Sequence, residues 1–321
     1  PLSVSNLKKT TKYGIFEIGM DKKGEIYNLS KIVKPEIAVI TNISGAHFKN
    51  FNTLKDIARA KSEIINNILE EGNVILNKDD KFFNFFKKIA ENNYIKIRTF
   101  GYTNNSDVRF INLKKVKNNY FLKLQTSEGK ILLPINSANK NYIMNIMCCL
   151  ATLDELGLNH KNIKHFFKTF KPLKGRGIIR KVNKFGKTFY LVDESYNANP
   201  LSVKSAIENF SKIKTKGKKK YFFFGDMMEL GNKSHIYHKK AIKLINDTNI
   251  NKTFVFGKRT SEVYKFIKKD KRGEIITSIE KFYTRISKIL KNGDYLMIKG
   301  SNSTKLHKVS KTFLKGSKYA L

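Results

Sequence analysis

Tryptophan is absent from the 321 residues, cysteine occurs only twice, and 26 acidic side chains face 63 lysines and arginines. Each shortage excludes something. Cys148 and Cys149 are adjacent in an apolar run, a spacing that suits neither a disulfide framework nor a zinc site and fits the reducing cytoplasm. No apolar stretch approaches the roughly 20 residues of a membrane-spanning helix, and no signal-peptide pattern opens the chain, so membrane insertion is not expected. The scarcity of acid leaves a formal charge of +37. Such a balance can mark a nucleic-acid binder. It can also record composition alone, because lysine greatly outnumbers arginine while Asn, Ile and Phe abound, as in an AT-rich genome. The charge is spread along the chain instead of clustering in one arm, which favours composition over specific nucleic-acid binding. A phosphate-binding G-x-x-x-x-G-K-[ST] loop, whose backbone N–H groups would cradle phosphates, is also lacking. GDMMELGNKS (225–234) has the wrong spacing, with Asn232 intruding before Lys233. Since the chain opens on PLSVSNLKK, a fragment, or a gene that has lost its front, is the expectation.

What is present suffices for two ordinary cores, given 40% hydrophobic residues. Strand-like runs at 14–18, 37–41, 73–76 and 96–100 alternate with helical patterns at 53–70 and 80–92. This is βα alternation, and it predicts a parallel sheet covered by helices. Polar–apolar alternation at 107–113, 119–126 and 130–135 predicts appended antiparallel strands, and helices at 139–156 and 160–170 close the unit. Pro172 and the Gly175–Gly177 pair mark a linker, giving domains at 1–172 and 173–321. The second domain reads as Rossmann-like α/β. Strands are expected at 188–192, 220–224, 253–256, 274–277 and 294–298, with helices at 200–213, 234–248, 259–269, 279–291 and 302–315. Asn199 as N-cap with Pro200 at the first helical position is a strong helix start.

Three chemically loaded residues stand out in the first domain. In IARAKSEII, Ile57, Lys61, Ile64 and Ile68 share a helical stripe, so Lys61 is expected to be desolvated with its pKa lowered. A neutral amine there can act as nucleophile or base, or take up carbon dioxide as a metal-binding carbamate. Alternatively it packs its stem and sends its head to water. Glu17 interrupts the apolar segment Tyr13–Ile18, and a carboxylate in a buried strand is costly unless paired or metal-bound. His47 follows the polar exit of the strand at 37–41. Together the three suggest a magnesium site of oxygen and nitrogen ligands. In the second domain, strand ends carry Asp193–Glu194, Gly225–Asp226 and Lys299–Ser301, and open parallel sheets bind ligands beyond the carboxyl ends of their strands.

The runs EIGM…GEI, P-x-IAVITNI-x-x-AH and IA-x-AKSEI, followed by DESYNANP (193–200) and GDMMELG (225–231), resemble the Mur ligases. The last two runs point to the branch joining D-alanyl-D-alanine to UDP-N-acetylmuramoyl-tripeptide in peptidoglycan assembly. The resemblance covers nearly the whole chain. It implies a partial central ATPase-type parallel-sheet domain and a Rossmann-like ligase domain, with ATP and Mg2+ as cofactors, and we expect a monomer. It implies that Glu17 and His47 ligate magnesium and that a carbamylated Lys61 holds a second. Asn42 would line the nucleotide side, Arg176 would reach the γ-phosphate, and Asp193 would bind ribose or orient the metal. Tyr196, Asn197, Asn199 and Pro200 would shape the nucleotide and dipeptide side. The family shows Gly-x-His-Asn-x-x-Asn near position 140, where the His–Asn pair serves adenine. Here only Asn145 matches, and Tyr142 is left as a surface on which a purine could stack. A folylpolyglutamate-type or other Mur-type ligase, a non-catalytic relative, and a basic RNA-associated protein are the alternatives.

Overall fold

The computed structural model describes residues 2–45, 48, 50–117, 119–170, 173–315 and 318–319. By contact the chain divides into two compact units, one of Pro1–Ile43 with Asn50–Phe170, the other of Ser44–Lys49 with Lys171–Leu321.

The first unit holds a six-stranded sheet in the simple order β1 (Ile37–Ile40), β2 (Asn73–Asn77), β3 (Lys96–Gly101), β4 (Val108–Val116), β5 (Asn119–Thr126), β6 (Gly129–Ile135). The first four are parallel and the last three form an antiparallel meander. The helices are α1 (Leu2–Ser5), α2 (Glu25–Val33), α3 (Leu54–Ser62), α4 (Phe83–Asn92), α5 (Lys140–Glu155) and α6 (Lys164–Thr169). Helices α3 and α4 cross between the parallel pairs β1–β2 and β2–β3, a short helix-free loop leads from β3 to β4, and tight turns join the antiparallel strands. A core of Ile75, Phe100, Leu122, Leu133, Ile146 and Leu150 joins strands to α5.

The second unit carries β7 (Ile178–Lys184), β8 (Lys187–Glu194), β9 (Lys220–Gly225), β10 (Lys252–Phe256), β11 (Arg272–Ile276), β12 (Tyr295–Lys299) and β13 (Lys318–Tyr319), in the order β11-β10-β9-β12-β8-β7-β13. The five strands from β11 to β8 are parallel, whereas β7 pairs antiparallel with β8 and β13 antiparallel with β7 at the other edge. Its helices are α7 (Pro200–Lys212), α8 (Ser234–Asn246), α9 (Lys258–Val263), α10 (Ile279–Ile289) and α11 (Leu306–Leu314). Strand β9, KYFFFG, is buried along its whole length, as a central strand covered on both faces must be.

Several expectations need correction. No strand forms at 14–18: the segment is irregular, Ile15 is 97% exposed and Glu17 is exposed too. The helix expected at 53–70 ends at Ser62 and tightens into a 3-10 turn, Glu63–Asn67. That change of pitch leaves Ile57 and Ile68 buried but turns Ile65 inward in place of Ile64. The helix at 259–269 likewise divides into α9 and a 3-10 turn at Tyr264–Phe266, and those at 160–170 and 302–315 open with 3-10 turns, His160–Ile163 and Asn302–Thr304, before α6 and α11. Strand β7 was not anticipated. Arg180, at an inward position between Ile178 and Val182, is buried and breaks the apolar alternation.

Candidate functional site

In the first unit, the loops leaving β1 and β2 are stitched together. Asp80 accepts hydrogen bonds from the Ile43 N–H at 2.7 Å and the Phe82 N–H at 2.8 Å, and Asn77 donates to the Thr41 carbonyl at 3.1 Å. Helix α3 starts from a capping box in which Thr53 and Asp56 satisfy each other's backbone N–H groups. At its far end Glu63 accepts from the N–H groups of Gly24 (2.9 Å) and Tyr27 (3.1 Å). An anion is favoured there, at the positive end of α2, and this ties the AKSEI run to α2.

Lys61 lies half-buried on the last turn of α3. Burial pushes its pKa below the usual lysine value against the opposing pull of Glu17 and Asp80. The expected desolvation is therefore present, although Glu17 acts from an exposed segment and not from a buried strand. Asp80, which the sequence pattern marks only as the start of the helical run 80–92, is the second carboxylate; its position just past the buried strand β2 was the available signal. His47 lies outside the described residues. Among the described residues no group of three or more His, Cys, Asp or Glu side chains is arranged to hold a metal. Asn42 is exposed just beyond β1, and Asn145 is exposed on α5. Tyr142 offers no free face to a purine on the side where Phe170 stacks, with ring centroids 5.5 Å apart, and its hydroxyl donates to the Phe167 carbonyl at 2.8 Å.

In the second unit the strand ends converge on Asp193, which is 3% exposed. Its Oδ1 accepts from the hydroxyls of Ser195 (2.6 Å) and Ser310 (2.5 Å), and its Oδ2 accepts from the Gly175 N–H at 3.1 Å. The carboxylate is thus engaged by internal donors and pins the linker to α11, a use the sequence did not disclose. Gly175 has φ +78°, and a Cβ there would sit 2.7 Å from the Tyr196 nitrogen. The approach of linker to loop therefore requires glycine. It sets the exposed Arg176 guanidinium 4.6 Å above the Tyr196 ring.

Behind this pair, Glu194 and Lys299 face each other at 3.6 Å on neighbouring strands, with Lys299 2% exposed. Burial raises the Glu194 pKa and lowers that of Lys299. Asn199 caps α7, accepting from the Ser202 N–H at 2.8 Å, with Pro200 as the first helical residue. Asn197 is exposed, and its side chain accepts from the Ala198 N–H at 2.8 Å. On the next loop Asp226 receives the N–H groups of Arg259 (3.1 Å) and Thr260 (2.8 Å). The Met227 N–H donates to His238 Nε2 at 2.9 Å. The sequence marks Glu194 and Lys299 only as strand ends and His238 not at all, because pairing across strands leaves no local trace.

Comparison with known proteins agrees with this architecture. The Mur ligase middle domain pattern matches residues 1–153 and the Mur ligase glutamate ligase domain pattern matches residues 180–302. Similar relatives include the UDP-N-acetylmuramoyl-tripeptide--D-alanyl-D-alanine ligases of Buchnera aphidicola (31% identical, covering 99% of this chain and 68% of the relative) and Rickettsia prowazekii (28%, covering 96% and 68%). Among solved structures, MurF from Acinetobacter baumannii superposes with a TM-score of 0.83 at 25% identity, covering 96% of this chain and 66% of that one. MurF from Thermotoga maritima, solved in complex with ADP, shares the fold at a TM-score of 0.77 and 22% identity, covering 93% and 66%. The chain belongs to the Mur ligases and, within them, to the family of UDP-N-acetylmuramoyl-tripeptide--D-alanyl-D-alanine ligases. It spans about two thirds of the length of these relatives.

Proposed function

We propose that the chain is the central and C-terminal part of an ATP-dependent ligase that joins D-alanyl-D-alanine to UDP-N-acetylmuramoyl-tripeptide in peptidoglycan synthesis. We place its work in the cytoplasm, with domains at 1–172 and 173–321. The observation that carries the reading is the half-buried Lys61, its pKa lowered by burial against the field of Glu17 and Asp80, in a fold whose relatives bear that ligase's name.

In the reaction, the γ-phosphoryl group of ATP passes to the terminal carboxylate of the tripeptide, giving an acyl phosphate and ADP. The dipeptide amine then attacks the acyl carbon. The tetrahedral intermediate expels inorganic phosphate, and the amine loses its proton as the amide forms. Phosphoryl transfer between anions needs neutralising charge, and the amine must arrive unprotonated and aligned.

A lysine carbamate and the carboxylates of Glu17 and Asp80 are oxygen donors of the kind a hard cation takes. A neutral amine takes up carbon dioxide, and the resulting carbamate would add a third anionic group to Glu17 and Asp80, an accumulation that oxygen-preferring magnesium offsets. Glu17, with His47 from outside the described residues, would hold one magnesium and the carbamate of Lys61 a second, and the metal would supply charge neutralisation. Asn42 and Asn145 serve the nucleotide side in this reading. Arg176, held by the Tyr196 ring, offers a cation to phosphate, and Asn197, Asn199 and Pro200 shape the dipeptide side. Asp193, with its oxygens engaged, positions Gly175 and hence Arg176.

The test is phosphate release coupled to amide product, measured with ATP, UDP-linked tripeptide and D-alanyl-D-alanine on the active ligase. Omitting the dipeptide should abolish amide formation. Equal turnover with glutamate as acceptor would instead favour a folylpolyglutamate-type ligase.

A further inference from the structure

We infer that Ser301, assisted by Lys299, is a positioning residue that couples the two most distinctive loops of the second unit, 195–199 and 226–230, so that they move together. These loops leave β8 and β9, which are not neighbours. Strand β12 lies between them in the sheet, so a residue leaving β12 is placed to reach both. Ser301 does so. Its hydroxyl donates to the Ala198 carbonyl at 3.1 Å and accepts from the Met228 N–H at 2.8 Å, while its own N–H donates to the Asp226 carbonyl at 2.9 Å. A serine hydroxyl offers one donor and two acceptor sites, and here the donor goes to one loop and an acceptor to the other. Two residues earlier, Lys299 Nζ donates to the Asn197 carbonyl at 2.9 Å and keeps Glu194 as its counter-ion at 3.6 Å. Ser301 is 4% exposed, so water offers no ready substitute for these bonds. The 226–230 loop is held from its other side by His238 through Met227. A displacement there is transmitted through one hydroxyl to Ala198, next to Asn197 and Asn199. That these loops flank a dipeptide rests on the function proposed above; the coupling does not.

Amide hydrogen exchange on the 321-residue chain reads the coupling without turnover, so failure of the ligase reading leaves the measurement intact. His238→Phe keeps a buried ring and removes the acceptor for Met227. In the parent background it should quicken exchange by about tenfold or more, an opening roughly 1.4 kcal/mol easier, both at 227–228 and at the amides of Tyr196 and Asn199. In a Ser301→Ala background the His238→Phe effect should stay within 226–230. Ser301→Thr, which keeps the hydroxyl, should restore the spread. Ser301→Ala alone should quicken both loops together. The inference is overturned if His238→Phe leaves 195–199 unchanged in the parent, if its effect still spreads in the Ser301→Ala background, or if Ser301→Ala alone loosens only one loop.

Discussion

At Lys61 two effects of opposite sign meet. Burial disfavours the ammonium, Glu17 and Asp80 favour it, and burial prevails. The lowering favours the neutral amine, the form that reacts with carbon dioxide, whereas a guanidinium in its place stays charged. In the active ligase, Lys61→Ala should therefore lose most phosphate release and regain part of it with added formate or acetate. Lys61→Arg should stay inactive, and near-normal turnover by it would reduce Lys61 to a packed stem with a solvated head. His238 allows a second prediction at this scale. Its pKa is lowered from the ordinary 6.5 chiefly by burial, which outweighs the bond to Ser234 and the field of Asp226. On acidification the unfolded chain takes up that proton first. The folded form consequently loses stability as the pH falls from 6.5 through the lowered value, and the contribution is flat above 6.5. Urea midpoints of the parent should fall across that window more steeply than those of His238→Phe, since other groups titrate alike in both. Parallel curves would remove His238 from the acid response.

Single elements show which parts of the sequence carried their own structural information. Helix α7 was legible because its start is local: Asn199 caps, Pro200 opens the first turn, and Ser202 closes the box. Replacing Asn199 by alanine should cost about 1 kcal/mol, seen as a lowered urea midpoint with an unchanged slope; Asn199→Ser should retain most of it. The parallel strands β1 to β3 and the meander β4 to β6 were legible for a similar reason, since apolar periodicity is written within each segment. The segment at 14–18 failed because a strand requires a neighbour to accept its backbone, and no strand among the described residues pairs with it. Strand β7 failed for the opposite reason: pairing with β8 makes a strand of a run whose inward Arg180 masks the period. The site divides along the same line. Lys61 announced itself by its stripe, but Asp80, Glu194 facing Lys299, and Ser301 acquire their roles only from strands brought together by the fold.

Across the whole molecule the charge of +37 is the dominant feature, and its distribution decides what it can bind. No helix among the described residues is long and apolar enough to cross a membrane. The clearest meeting of lysines with an exposed aromatic is on α8 and the turn after α9, where Lys239 and Lys265 lie 4.5 and 5.6 Å from the Phe266 ring. Lys240 and Lys243 line the same groove. Those ammonium groups compete with any base for that ring, so it makes a poor stacking platform of the kind that single-strand binders use. Scattered lysines then give affinity by counterion release only, roughly 10⁻⁴ to 10⁻⁶ M near physiological salt and falling steeply as salt rises. Single- and double-stranded nucleic acids of different sequence should bind alike under these conditions. Reversing charge at Lys239 and Lys243 should weaken binding no more than the same change at the exposed pair Lys88 and Lys114. Tight, sequence-dependent binding, or a loss confined to the Lys239–Lys243 pair, would show that the α8 groove is a nucleic-acid surface and that its charge is more than a consequence of composition.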